Sequence, residues 1–230
     1  EPRQAPDPAA QRDPANAARV LGSVSNVWTD EEKEPVREEI RRLNACGWAG
    51  GSYPRLDAWM AGPSDGREAW DRAAGLPLAV WPTLADPLAP LPHLSHVLNL
   101  GRVVPARAES AAARGDWAAC EQRYADAFAN AGHVEQGQTL IEALVAAAMD
   151  AIVADSMRRL ALTQPVPADV ARSLQSRVRQ REERRLPLSR AMRSEWGMGR
   201  WCVSIVYTNP AEVFALSAPA EETRARSHRI

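Results

Sequence analysis

Apolar residues recur every three or four positions through most of the stretch from Leu91 to Leu162, and that period constrains the fold more than any other feature. Positions so spaced share one face of a helix. Leu94, Val97, Leu98, Gly101, Val104, Ala108 and Ala111 form a first stripe, and Trp117, Cys120, Tyr124, Ala127 and Phe128 a second. A third runs from Leu140 through Leu144, Met149, Val153 and Met157 to Leu160. The breaks between stripes have a local cause. Pro92 suits a first helical position, and Pro105 is expected to kink the first helix. Arg114-Gly115-Asp116-Trp117 reads as a tight turn, with Gly115 closing one helix and Asp116 capping the next. Gly132 is expected to stop that second helix near Ala131. The third helix, from Gln136 to about Leu162, is apolar around more than half its circumference, so it is expected to be the central, most buried one.

The flanks are helical too, with proline-rich interruptions. Glu1 to Pro14 holds four prolines and reads as an extended or disordered arm. A first helix is expected over Asn16–Trp28. A second follows a capping box at Thr29 and Glu32 and runs to about Cys46. Tyr53–Ala61 and Ser64–Ala74 read as two short helices. Leu76 to Pro92 carries five prolines and can be neither helix nor inner strand. Beyond Pro165, helices are expected from Pro167 or Ala168 to about Arg184, and again from Pro187-Leu188-Ser189 through Met192, Trp196 and Trp201. Trp201 to Tyr207 has strand propensity but no second strand to pair with, so it is assigned to helix or coil. Ala218–Ile230 reads as a polar tail. The expected fold is all-α: a single domain over 15–217 between an arm (1–14) and a tail (218–230), with 91–162 as a central helical hairpin plus a long core helix.

Composition excludes several classes. The net charge of −1 gives no global field for nucleic acid. No run approaches the ~18 apolar residues of a membrane span. Cys46, Cys120 and Cys202 are far apart and form no C-x-x-C pair, so a zinc knuckle is not indicated and the disulfide state is open. The chain begins at Glu1, and a removed signal or a membrane anchor ahead of that residue is expected from the spacer-like composition of 1–14.

Arg114-Gly115-Asp116-Trp117-Ala118-Ala119-Cys120, followed by Tyr124-Ala125-Asp126-Ala127-Phe128, resembles the turn and second helix of a tetratricopeptide repeat. The resemblance covers one repeat of about 35 residues. It implies a TPR-like antiparallel helical array, in which Trp117 and Tyr124 belong to an interaction unit. A broader resemblance rests on Asn16-Ala17-Ala18, the Leu76-Pro77 to Trp81-Pro82 segment, Leu91-Pro92-His93-Leu94, the Gly-Asp turn and His133-Val134-Glu135 leading to Thr139-Leu140-Ile141. In these the chain is similar to a group of uncharacterised helical proteins of planctomycete-type bacteria. That resemblance implies a bacterial envelope or secretory setting, periplasmic or membrane-anchored, with a cytoplasmic setting as the alternative. It implies no activity.

Chemistry-bearing constellations are few. His93 and His96 share a helix face at i, i+3 and are weak metal candidates that lack a third ligand in sequence. Glu142, Asp150 and Asp155 lie on the long helix at spacings that do not pair them, and salt bridging to Arg158 and Arg159 accounts for them. No phosphate loop, nucleophile elbow or H-E-x-x-H occurs. Arg172 to Arg200 is the most charged stretch. Arg179, Arg181, Arg184 and Arg185, with Trp196 and Trp201, are candidates for contact with a protein partner or an anionic membrane surface. The leading expectation is a non-catalytic helical interaction or structural subunit that takes no cofactor. The alternatives are a metal-binding or enzymatic domain at His93 and His96, and peripheral membrane binding through Arg172–Trp201.

Overall fold

The computed structural model describes residues 8–23, 30–48, 52–62, 65–81, 91–137, 139–193, 195–197 and 200. The helices are α1 (Pro8–Arg12), α2 (Ala17–Gly22), α3 (Asp30–Cys46), α4 (Pro54–Ala61), α5 (Asp65–Ala74), α6 (Pro92–Ala113), α7 (Trp117–Glu135), α8 (Leu140–Thr163) and α9 (Ala168–Arg184). Residues 188–193 and 195–197 are helical as well. No strand occurs among the described residues, where the only β pairing is one isolated parallel bridge between Asn16 and Leu78. The chain is all-α.

The turn between α6 and α7 is built as its residues dictate. Gly115 takes φ +78, the left-handed conformation that L side chains rarely adopt. Asp116 then accepts a 3.0 Å hydrogen bond from the amide of Ala119, satisfying one of the orphan donors at the start of α7. With so short a link, α6 and α7 pack antiparallel along their lengths, and α8 packs against both. α6 runs without interruption through Pro105.

Three expectations are corrected. The arm is not wholly extended: Pro8–Arg12 forms a helical turn, because proline suits a first helical position and Ala-Ala-Gln-Arg follows it. Gly132 does not end α7, which continues to Glu135. There a Cβ on Gly132 would meet only the Arg181 guanidinium at 3.8 Å, and Ala131 and Val134 on either side are fully buried, so packing outweighs the weak helix propensity of glycine. α7 ends at its C-cap Gln136, whose amide donates to the His133 carbonyl at 3.2 Å, and a capping box then starts α8. Thr139 accepts from the amide of Glu142, and the Glu142 carboxylate takes the amide of Thr139 in return. Finally, α8 is not the central helix. α7 is the one that packs against α5, α6, α8 and α9. α8 buries Ala146, Met149, Val153 and Leu160 but leaves Ile141, Leu144 and Leu162 exposed.

The main core joins α2, α5, α6, α7, α8 and α9 around Leu21, Trp70, Leu100, Tyr124 and Met149. A smaller cluster packs α3 and α4 on α6 through Ile40, Leu43, Tyr53, Leu56 and Val103. Most of the described tryptophans serve these cores: Trp70 and Trp81 are buried, and Trp48 and Trp59 pack on the smaller cluster. Val24–Trp28, Trp201–Tyr207 and the 218–230 tail lie outside the described residues.

Candidate functional site

Two ion networks hold the buried Glu109, Glu135 and Arg181. Glu109, fully buried on α6, accepts from Arg159 Nη2 at 2.6 Å, Ser156 Oγ at 2.8 Å and the Trp48 amide at 3.0 Å. Tyr124 O–H and Ser156 Oγ are 2.8 Å apart, so the hydroxyl is held in the same network. Burial pushes the Tyr124 hydroxyl far above its ordinary value and the Cys120 thiol up to about 12. Neither group is available as a nucleophile or base at neutral pH. Tyr124 is therefore a core residue, not part of an interaction surface.

The second network ties α7, α8 and α9. Arg181 donates to Asp150 through Nε and Nη2, both at 2.9 Å, and to Glu135 through Nη1 at 2.7 Å. Burial disfavours the Arg181 charge, but its two carboxylates more than offset that and raise its affinity for the proton. Asp150 is pushed up by burial against the opposing pull of Arg181. Arg181 is thus buried and fully engaged, which removes it from the exposed candidates. Arg179, Arg184 and Arg185 are exposed on or just past α9.

Beside this network a cavity of about 660 Å³ opens between α7, α9 and the run from Ala74 to Ala79. One wall is apolar: Leu76, Pro77, Leu78, Ala125, Phe128 and Ala129. The other carries Arg177, Gln180, Arg181 and Arg184, with His133 and Gln136 at the base of α7. Two buried polar atoms on its lining residues have no hydrogen-bond partner, His133 Nε2 and Arg177 Nε. Leaving such atoms unpaired costs about 1–3 kcal/mol each. Burial lowers the proton affinity of His133, while hydrogen bonding to the backbone of Ala73 and Leu76 pulls the other way. Nε2 makes no bond, so that contact falls to Nδ1, and the neutral ring presents Nε2 as an acceptor. Arg177 reaches a carboxylate, Glu121, only at 4.0 Å.

A second cavity, of about 680 Å³, lies among α1, α2 and residues 80, 81 and 93. There His93 stacks on Trp81, ring centroids 4.8 Å apart. Burial, with His96 adding to it, lowers the proton affinity of His93. No three His, Cys, Asp or Glu side chains gather around a possible metal position among the described residues.

The most exposed apolar side chains lie elsewhere. Leu188 and Met192, within helical residues 188–193, and Trp196, within 195–197, are spaced four positions apart in the chain and are 54%, 58% and 73% exposed. The segment carrying Trp196 is tied to the start of α8, where the Leu140 amide donates to Glu195 at 2.7 Å. Ile141 and Leu144, also more than half exposed, follow directly in α8. Trp196 is thus exposed, whereas Trp117 is half-buried at the start of α7 and packs on the core, and Trp201 lies outside the described residues.

In the sequence His133 figures only in the His133-Val134-Glu135 resemblance and Arg177 only within the charged Arg172–Arg200 stretch, and no motif marks either as a site residue. Their cavity is assembled from three elements far apart in the chain. The only local hint is that His133 sits one helical step beyond the glycine that packs against Arg181. No helix among the described residues is long and apolar enough to cross a membrane. No protein-family model, curated protein or solved structure matches this chain.

Proposed function

We propose that this chain is a non-catalytic helical interaction subunit, which docks on a protein partner through the face carrying Leu188, Met192 and Trp196. The observation behind this reading is that row of large apolar side chains, held in register by Glu195 on the α8 N-terminus yet turned to solvent. A row at i, i+4 and i+8 is how a helix presents anchors to a groove. Exposed Arg184, Arg185 and Arg193 flank it, so the matching surface is an apolar groove with an acidic rim. The TPR-like turn at Arg114–Trp117 supports an interaction role, and the similarity to the planctomycete-type group supports an assembly at the bacterial cell envelope.

The test is isolation of the untagged protein from its own cells, compared with the Met192→Ser/Trp196→Ser variant. The reading expects a stoichiometric protein partner that survives size exclusion in the wild type and is lost in the variant, with the urea midpoint unchanged. A wild type that elutes as a free monomer overturns it. So does co-flotation with anionic liposomes without any protein partner.

A further inference from the structure

We propose that residues 76–81 form a strap that is released from α7 when the buried imidazole of His133 takes up a proton, so that mild acidification uncovers the apolar part of α7 beside it. The device is independent of the face carrying Trp196.

The strap is held by a few bonds that the structure names. Asn16 exchanges two with the backbone of Val80, and the Ala17 amide donates to the Leu78 carbonyl. The rest fall on His133. Its ring bonds the backbone of Ala73 and Leu76, where α5 gives way to the strap, and its carbonyl accepts from Trp81 Nε1 at 2.7 Å. One residue of α7 therefore holds the strap at both ends. Leu76, Pro77 and Leu78 share a cavity with Ala125, Phe128 and Ala129 of α7, which is the surface that opening would expose.

The ring fits this position only as a neutral group. Nδ1 donates to the backbone, and Nε2 is buried without a hydrogen-bond partner. A proton on Nε2 makes a buried donor with no acceptor and a buried charge with no counter-ion. The charged groups around it offer no relief. α9 brings Arg177, Arg181 and Arg184 to the cavity that His133 lines. Glu135 on α7 and Asp150 on α8 are both bound to Arg181. Asp71 on α5 is held by Arg107 and Arg123, and Arg72 is exposed. Past α9, Arg190 reaches Gln136, while α2 has Arg19 and no carboxylate, and the strap itself has no titratable side chain. His93, on α6, stacks on Trp81, and a cation there is attracted to the indole face, so its protonation does not drive release. His133 Nε2–H meets water only when the ring and Leu76 part.

The closed strap holds His133 below its ordinary value of 6.5 through burial, and opening restores that value. The open form then binds more protons, so opening becomes easier as pH falls through 6.5. An open-state value of 6.5 limits the gain to about tenfold between pH 7.5 and 5.5.

Amide hydrogen exchange of the full chain at those two pH values, corrected for intrinsic rates, tests this. The Ala17 and Val80 amides are expected to open more readily than those of Val104 and Met149 in the core, and their opening to rise by up to about tenfold at the lower pH. His133→Gln, whose side-chain amide can still donate to the backbone, is expected to lose that rise, and His93→Gln to keep it. The imidazole resonances of wild-type His133 give the same answer without a substitution, since its protonation must track the opening of Val80. Ala17 and Val80 amides that exchange only together with Val104 and Met149 overturn the proposal, because the strap then has no motion of its own. So does a rise that persists in His133→Gln or vanishes in His93→Gln, a His133 that stays neutral while Val80 opens, or no rise at all.

Discussion

The side-chain amide of Asn16 exchanges two hydrogen bonds with the backbone of Val80, 64 residues away: Nδ2 donates to the Val80 carbonyl and Oδ1 accepts from its amide, each at 2.9 Å. Oδ1 also accepts from Ala18 and so caps α2, while the Ala17 amide donates to the Leu78 carbonyl at 2.7 Å. One asparagine therefore starts a helix and serves as the strand that the proline-rich run lacks. Replacing it with alanine removes the cap and orphans the half-buried Val80 amide, a loss of about 2–3 kcal/mol. Urea denaturation of Asn16→Ala measures it. A loss no larger than that of an exposed control such as Arg19→Ala would show that the clamp contributes nothing.

Glu109 is the group on which α3, α6, α7 and α8 meet. Glu109→Ala leaves Arg159 without its buried carboxylate and the Trp48 amide without an acceptor, and is expected to cost about 3–5 kcal/mol. Tyr124→Phe removes one hydrogen bond and keeps the packing, so about 0.5–1.5 kcal/mol is expected. The ratio of the two, read from denaturation midpoints at constant m, checks whether charge or hydroxyl dominates the network.

Arg181→Leu strands Asp150 and Glu135 in the interior, with an expected loss of about 3–5 kcal/mol at pH 7. Asp150 already binds its proton more readily when folded than at its ordinary value of 3.8, through burial, and loses the opposing pull of Arg181 in the variant. A folded state that holds a proton better than the unfolded one gains stability as pH falls. The defect is therefore largest near neutrality and shrinks toward pH 4, which a series of thermal melts would reveal as converging wild-type and variant curves.

The histidines act in the opposite direction. Burial lowers His133 and His93 below their ordinary value of 6.5. Between the folded value and 6.5 the unfolded chain binds more protons, so stability declines as pH falls through 6.5 and stops declining from this source once the folded value is passed. His133→Gln is expected to flatten that slope. An unchanged slope between pH 7.5 and 5.5 would sink the assignment.

The all-α class and most helix boundaries from Asp30 to Arg184 were legible in the sequence because period and punctuation are local properties. Gly115 and Asp116 name their turn, and Ala168–Arg184 lies between Pro167 and Pro187. Two things were not legible. An apolar helix announces that it has partners but not which of them surround it, so the sequence alone points to α8 as the central helix in place of α7. And a glycine such as Gly132 signals a stop only if nothing packs against it, which depends on Arg181, 49 positions later in the chain. The cavity was hidden for the same reason, since its walls come from three separate elements. By contrast, the exposed Leu188, Met192 and Trp196 row shows in the sequence as i, i+4 spacing, and only its exposure had to come from the structure.

The order in which helices touch has a kinetic consequence. α6, α7 and α8 contact one another in sequence order, so their pairing closes only short loops, and such a unit can form early and fast. Docking of α2 on α5 and of Asn16 on Val80 must instead bridge the whole α3–α5 excursion, a costlier closure that forms late. Asn16→Ala should consequently leave the refolding limb of a chevron plot almost untouched and steepen only the escape from the native state, whereas Tyr124→Phe should slow refolding itself.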